Sequence, residues 1–152
     1  MIHVEIVNEQ SGVEIDERKL AVAARKVLTG EGIEKATISI AVVDSDSIHR
    51  MNRQFLNHDY PTDVLSFPLK TTHSEIEGDI AICPDVAAEA ATEYGWRTAD
   101  ELLLYVIHGV LHLVGYDDKS AHTKERMRER ERHYLDSFGL SPRYEDTRVQ
   151  GR

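Results

Sequence analysis

Apolar and polar residues alternate in Ile2-His3-Val4-Glu5-Ile6-Val7, the period of a half-buried strand. After the Ser11-Gly12 turn the period lengthens. From about residue 16 to 28, Leu20, Val22, Ala23, Val27 and Leu28 form a helical stripe, with Gly30 and Gly32 beyond its end. The β-branched stretch 37–43 predicts a second strand, part of it buried on both faces. Asp44 or Ser45 can cap a short helix through Ile48, Met51, Asn52 and Phe55. A polar loop, 57–63, leads into a short strand at 64–68 that Pro68 confines to an edge or an end. The polar stretch 70–77 is read as a connection, and 78–83 as a further strand closed by Pro84.

The second half has helical spacing. Pro84 in a first turn and the alanines between 87 and 91 predict a helix ending near Gly95. Thr98 opens another, with Glu101 three residues later as a capping box. Leu102, Leu103, Leu104, Val106, Ile107, Val110 and Leu111 make it apolar on nearly every side, so it should be central and buried until Gly115 stops it. A last helix, about 120–138, buries Met127, Tyr134, Leu135 and Phe138 and exposes alternating Arg and Glu. Strands first and helices after predict an α+β fold, a small mixed sheet packed with about five helices, in one domain over 1–140. The tail 141–152 is expected to be mobile.

A chain of 152 residues can bury a core without covalent staples. Cys83 is its single cysteine, which excludes an intramolecular disulfide. Met1-Ile2-His3-Val4-Glu5 lacks the basic start and apolar segment of a signal peptide, and no apolar run reaches a membrane span, so a cytoplasmic protein is expected. The net charge of −9 argues against a general nucleic-acid binder but leaves room for a local basic cleft.

The chemistry concentrates in His108-Gly-Val-Leu-His112-Leu-Val-Gly115-Tyr116-Asp117-Asp118. Positions i and i+4 of a helix share a face, so His108 and His112 can point at one spot, a half-site for Zn²⁺. A lone histidine on an apolar helix is more often a satisfied core residue. Two at this spacing weaken that explanation, because several buried ring nitrogens would need partners. A structural zinc site is usually closed by four ligands and rich in cysteine, and Cys83 has no companion. Two histidines and one further ligand leave a position open for water, the catalytic arrangement. Gly115 lets the chain reverse so that Asp118 falls over His112. Asp117 and His122 compete for the third place, His122 less well because it falls on the last helix.

The same stretch resembles the signature of the YbeY family, bacterial metal-dependent endoribonucleases and rRNA maturation factors. Pro61-Thr62-Asp63-Val64-Leu65-Ser66-Phe67-Pro68 is similar to the family's second signature, and Gly78-Asp79-Ile80-Ala81-Ile82-Cys83 to its third conserved strand. The three occur in family order and spacing. The resemblance implies a zincin-like domain whose metal ligands are His108, His112 and Asp118. The sequence departs from the pattern twice. Asp118 stands where the family usually has a third histidine, which keeps a ligand but adds negative charge, so bound water should be less acidified. Leu56 stands where the family usually has an arginine suited to holding phosphate. Arg53 lies one helical turn earlier, with a solvated surface role as its ordinary explanation.

The resemblance implies a single-strand-specific, zinc-dependent endoribonuclease of small-subunit rRNA maturation and ribosome biogenesis, with RNA and the small subunit or its proteins as partners and no DNA or membrane. Asp117 or another carboxylate would orient a ligating histidine. Ser66 and Arg53 are candidates to line the cleft, and no general base is identifiable. Two rivals remain. A metalloprotease needs His-Glu-x-x-His, and Gly109 supplies no base. A non-catalytic, zinc-containing ribosome-assembly factor is favoured by the loss of arginine at Leu56. The Arg and Glu run from Lys124 to Arg132 can touch phosphate, though such runs are usually solvated faces held by ion pairs.

Overall fold

Ala36, Ile38, Ile40 and Val42 are all buried, while Lys35, Thr37, Ser39 and Ala41, which alternate with them, are exposed or half-buried, the period of a strand with one face on the core. In a computed structural model the described residues are 1–57 and 62–142. The elements run β1 (Ile2–Asn8), α1 (Glu17–Gly30), β2 (Lys35–Val42), α2 (Ser45–Leu56), β3 (Val64–Thr71), β4 (Glu75–Ile82), α3 (Pro84–Tyr94), α4 (Thr98–Val114) and α5 (Ala121–Asp136). The sheet order is β1-β2-β4-β3, with β1, β2 and β4 parallel and β3 antiparallel to β4. This is the mixed sheet and α+β layering that the pattern predicts. Part of the polar loop (residues 58–61) and the tail from 143 onward lie outside the described residues.

Successive residues of a strand face opposite sides. On one side Ile38, Ile40, Ile80 and Ile82 join α1 and α4 in the main core. On the other, Leu65 and Ala81 pack with Ile48 and Met51 of α2. The described length of α4 is buried almost throughout, from Asp100 to Leu111, as its apolar circumference requires. No helix among the described residues is long and apolar enough to cross a membrane.

Two local expectations are corrected. The stretch 70–77 is mostly strand: β3 continues through Pro68 to Thr71, and β4 begins at Glu75. This outer half of the hairpin has little apolar burial to betray it. It is held instead by pairing, with Glu75 bridging Lys70 at 2.9 Å and Lys35 at 3.3 Å. Pro68 is tolerated because β3 pairs on one side only, as an edge strand. At the start of α4, Arg97 rather than Thr98 is the N-cap, and its N–H donates to the Asp100 carboxylate at 3.3 Å. Glu101 is instead buried and accepts from Trp96 Nε1 at 2.8 Å.

Candidate metal centre

Helix α4 lies unusually close to the sheet, and two glycines make that possible. A Cβ on Gly109 would sit 3.0 Å from Ile80 Cγ2 and 3.3 Å from Val64 Cγ2. A Cβ on Gly78 would sit 2.8 Å from a Leu113 methyl. Such distances are shorter than ordinary carbon contacts, so the close packing depends on both side chains being absent. The Ser66 hydroxyl on β3 completes the seam by donating to the Gly109 carbonyl at 3.2 Å.

His108 and His112 lie on the flank of α4 that meets α5 and the turn after the helix, at Glu131 and Asp118. His108 is buried, His112 is half-buried one turn later, and their rings meet edge to face with centroids 4.6 Å apart. Gly115 ends the helix with φ +124°, a conformation that side chains other than glycine's rarely adopt. The chain then reverses and brings Asp118 back over the helix. Asp118 Oδ2 lies 3.9 Å from His108 Nε2, and Asp118 Oδ1 lies 4.0 Å from His112 Nε2. One ligand atom from each of the three residues lies within 4.8 Å of the others.

The donor set fits a divalent cation. The nitrogen–oxygen distances are too long for hydrogen bonds. Bonds of about 2.0–2.2 Å to a shared tetrahedral ion would place neighbouring ligand atoms about 3.3–3.6 Å apart. The two carboxylate contacts would then close by about 0.3–0.7 Å and the widest pair, now within 4.8 Å, by up to about 1.5 Å. His108 is also prepared for the role. Its Nδ1 lies 2.6 Å from Glu131 Oε2, and both side chains are nearly sealed from water. A carboxylate accepts, so in the neutral, metal-binding ring the proton sits on Nδ1 and the Nε2 lone pair is left facing Asp118. Burial pushes the His112 pKa below the ordinary imidazole value and the neighbouring His108 pushes it further, against the opposing pull of Asp118 and Glu131. A neutral ring is the form that binds metal.

The carboxylate that orients His108 is therefore Glu131 and not Asp117. The Asp117 side chain turns away to accept from Lys119 N at 3.0 Å, and that bond first among several holds its carboxyl below the ordinary value. Glu131 carries a signal visible in the sequence. Met127, Glu131, Tyr134 and Leu135 are the buried residues of α5, so this one glutamate of the charged run occupies a position on the apolar stripe.

The other sequence candidates fall elsewhere. His122 is exposed near the start of α5 and does not join the group. Arg53 is exposed on α2, whose inner side packs with Leu65 and Ala81 on the opposite face of the sheet from α4. Leu56 is the last residue of α2 and 49% exposed, beside Phe55 at 60%. Cys83 is buried in that second cluster, where burial pushes its thiol pKa up.

Comparison with known proteins agrees with this architecture. The family model described as Endoribonuclease YbeY matches residues 5–139. A Carboxydothermus hydrogenoformans protein named Endoribonuclease YbeY is 41% identical over 140 residues, covering 90% of this chain and 97% of the relative. A Rhodopirellula baltica protein of the same name is 41% identical over 115 residues, which are 74% of this chain but 59% of that longer relative. The solution structure of a Thermotoga maritima protein superposes with a TM-score of 0.59 at 32% identity, covering 88% of this chain and 87% of the other. On a match that takes in the sheet, the two-histidine helix and the carboxylate that follows it, this chain belongs to the Endoribonuclease YbeY family.

Proposed function

We propose that the protein is a metal-dependent endoribonuclease that cuts single-stranded RNA, with His108, His112 and Asp118 holding one zinc ion per chain. The observation that carries this is the convergence of two histidine nitrogens and one carboxylate within 4.8 Å, in a chain matched by an endoribonuclease family over residues 5–139. When bound, the cation supplies Lewis acidity for phosphodiester hydrolysis, acidifying water and neutralising charge that develops on a phosphoryl oxygen. Glu131 holds the proton on His108 Nδ1 and fixes the ring. With three ligands from the protein, a fourth position is left for water or substrate.

A nitrogen-and-oxygen set of this kind favours zinc by geometry and ligand type. The activity belongs to rRNA maturation on the small ribosomal subunit in the cytoplasm, by analogy with the family. The Ser66 hydroxyl is spent on the Gly109 carbonyl between β3 and α4, which supports a packing role for it. One observation favours a second reading, a zinc-containing ribosome-assembly factor without catalysis: Leu56 offers no guanidinium for phosphate. A peptidase is disfavoured on space as well as chemistry, because a Cβ at the position after His108 would stand 3.0 Å from Ile80, so a side chain there needs the packing of α4 on β4 to shift.

A paired assay separates these. Wild type and His112→Ala, purified side by side, are incubated with a labelled single-stranded RNA, and metal content is measured in each. We expect about one metal per wild-type chain, cleavage by wild type, and neither in the variant. Equal cutting by both preparations rejects the nuclease. Metal and RNA retention in wild type without cutting selects the assembly factor.

A further inference from the structure

Tyr116 lies between His112 and Asp118 in the reversing turn, and its hydroxyl is anchored far away in the sequence. It donates to Glu31 Oε1 at 2.7 Å. Glu31 caps the C-terminal end of α1, and its side chain is only 9% exposed. Its other oxygen accepts from Arg130 Nε at 3.0 Å, from Arg130 Nη2 at 2.7 Å and from the Tyr134 hydroxyl. With one donor on Oε1 and three converging on Oε2, the carboxylate is held in one orientation.

The two sides of this hub lead to two parts of the same centre. Arg130 and Tyr134 belong to α5, where the next residue after Arg130 is Glu131, bonded to His108 Nδ1. Tyr116 belongs to the segment that carries Asp118. That segment has no helix or strand of its own between Gly115 and Ser120. Its backbone is tied to α4 through Tyr116 N, which donates to Leu111 O at 3.0 Å. Irregular segments with few backbone bonds open easily, and a ligand drawn from one costs ordering entropy when it binds. The phenol anchor meets that cost in the folded protein: the ring packs on the main core and the hydroxyl reaches a buried charge.

We propose that Tyr116 and Glu31 are positioning residues of the metal centre. Their hydrogen bond fixes the turn after α4 so that the Asp118 carboxylate faces His108 and His112. The same glutamate, through Arg130 and Tyr134, holds the helix that presents Glu131. One carboxylate remote from the metal ligands thus sets both the third ligand and the proton on the first. This rests on His108, His112 and Asp118 being the ligands.

The test is a double-mutant cycle on Zn²⁺ affinity, measured by competition with a chromophoric chelator in wild type, Tyr116→Phe, Asp118→Ala and the double variant. Thermal unfolding of each metal-free protein is recorded alongside. Tyr116→Phe removes one oxygen and keeps the ring packed, so the fold is retained. It should weaken Zn²⁺ binding about tenfold, the lower end of what losing a ligand-orienting group costs. In the Asp118→Ala background the same change should alter affinity less than about twofold, because its effect passes through Asp118. A purely structural bond would lower the melting temperature and leave affinity untouched, and that outcome overturns the proposal. So does an equal loss in both backgrounds. If Asp118→Ala weakens binding and Tyr116→Phe does not, only the anchor fails. If Asp118→Ala binds Zn²⁺ as wild type does, the ligand set fails and the anchor with it.

Discussion

Replacing Glu131 by glutamine tests how far the buried carboxylate governs His108. The two side chains are nearly the same size, so packing around α5 is preserved. What changes is the partner of His108 Nδ1, now 2.6 Å from a charged oxygen in a site where the two side chains are 6% and 3% exposed. A hydrogen bond to a charged group contributes about 1.5–3 kcal/mol, and a neutral one about 0.5–1.5 kcal/mol. The difference, about 1–1.5 kcal/mol, corresponds to about a five- to twelvefold loss of metal affinity at 1.4 kcal/mol per decade. A second effect acts in the same direction. Glutamine can donate as well as accept, so it also stabilises the tautomer whose proton sits on Nε2 and blocks the lone pair facing Asp118. The expected loss is therefore about tenfold or more, within the range usual for partners of metal-bound histidines. The assay is chelator competition at near-neutral pH on wild type, Glu131→Gln and Glu129→Gln, the last an exposed residue of the same helix. Wild-type affinity in Glu131→Gln, or an equal loss in Glu129→Gln, would refute the reasoning.

Two further outcomes follow from the packing and the hub. Gly109→Glu installs the peptidase pattern where a Cβ would already stand 3.0 Å from Ile80, so the change should cost at least about 3 kcal/mol in denaturant unfolding and yield no peptide hydrolysis. A variant as stable as wild type would show that α4 is not pinned against β4. Burial alone would raise the pKa of Glu31, but the hydroxyls of Tyr134 and Tyr116 and the Arg130 guanidinium outweigh it and hold the carboxyl below its ordinary value of 4.5. A depressed pKa means that the unfolded chain binds the proton more readily. The stability Glu31 contributes is then complete above that ordinary value and is lost as pH falls through the depressed one. Metal-free wild type should lose stability more steeply than Glu31→Gln as pH falls below about 4.5, and parallel profiles would remove the assignment.

The elements with strong burial were legible in the sequence. Asp44 caps α2, Pro84 opens α3 and Gly115 closes α4 as the sequence pattern predicts, and the helical stripe from about residue 16 begins at Asp16, the N-cap of α1. In each case one side chain or one backbone conformation decides the boundary. The outer hairpin of β3 and β4 was not legible, because its residues from Pro68 to His73 face solvent and carry no period-2 apolar signal. Cross-strand pairing decides that segment, and pairing partners such as Lys35 and Glu75 come from distant parts of the chain. The histidine pair was visible because both members lie on one helix. The position of Asp118 depends on a turn whose anchor, Glu31, lies 85 residues before Tyr116.

The charged run of α5 shows why composition alone misleads at such a site. Read as a string, Arg-Glu-Arg-Glu-Arg between Arg128 and Arg132 is a solvated face, yet only Glu129 and Arg132 of it are exposed. A helix turns by about 100° per residue, so neighbours in the string point in different directions. Arg130 turns to Glu31 and Glu131 turns to His108, while Glu129 faces water. Their charges are opposite because their partners are: an arginine meets the carboxylate that anchors Tyr116, and a glutamate meets the imidazole whose other nitrogen must stay bare. Exchanging the two residues would keep the composition and net charge of the helix. It would also set a cation against His108 and a carboxylate against Glu31. The information that builds this centre lies in which charge falls at which angle of α5, and the apolar stripe through Met127, Tyr134 and Leu135 is what fixes that angle.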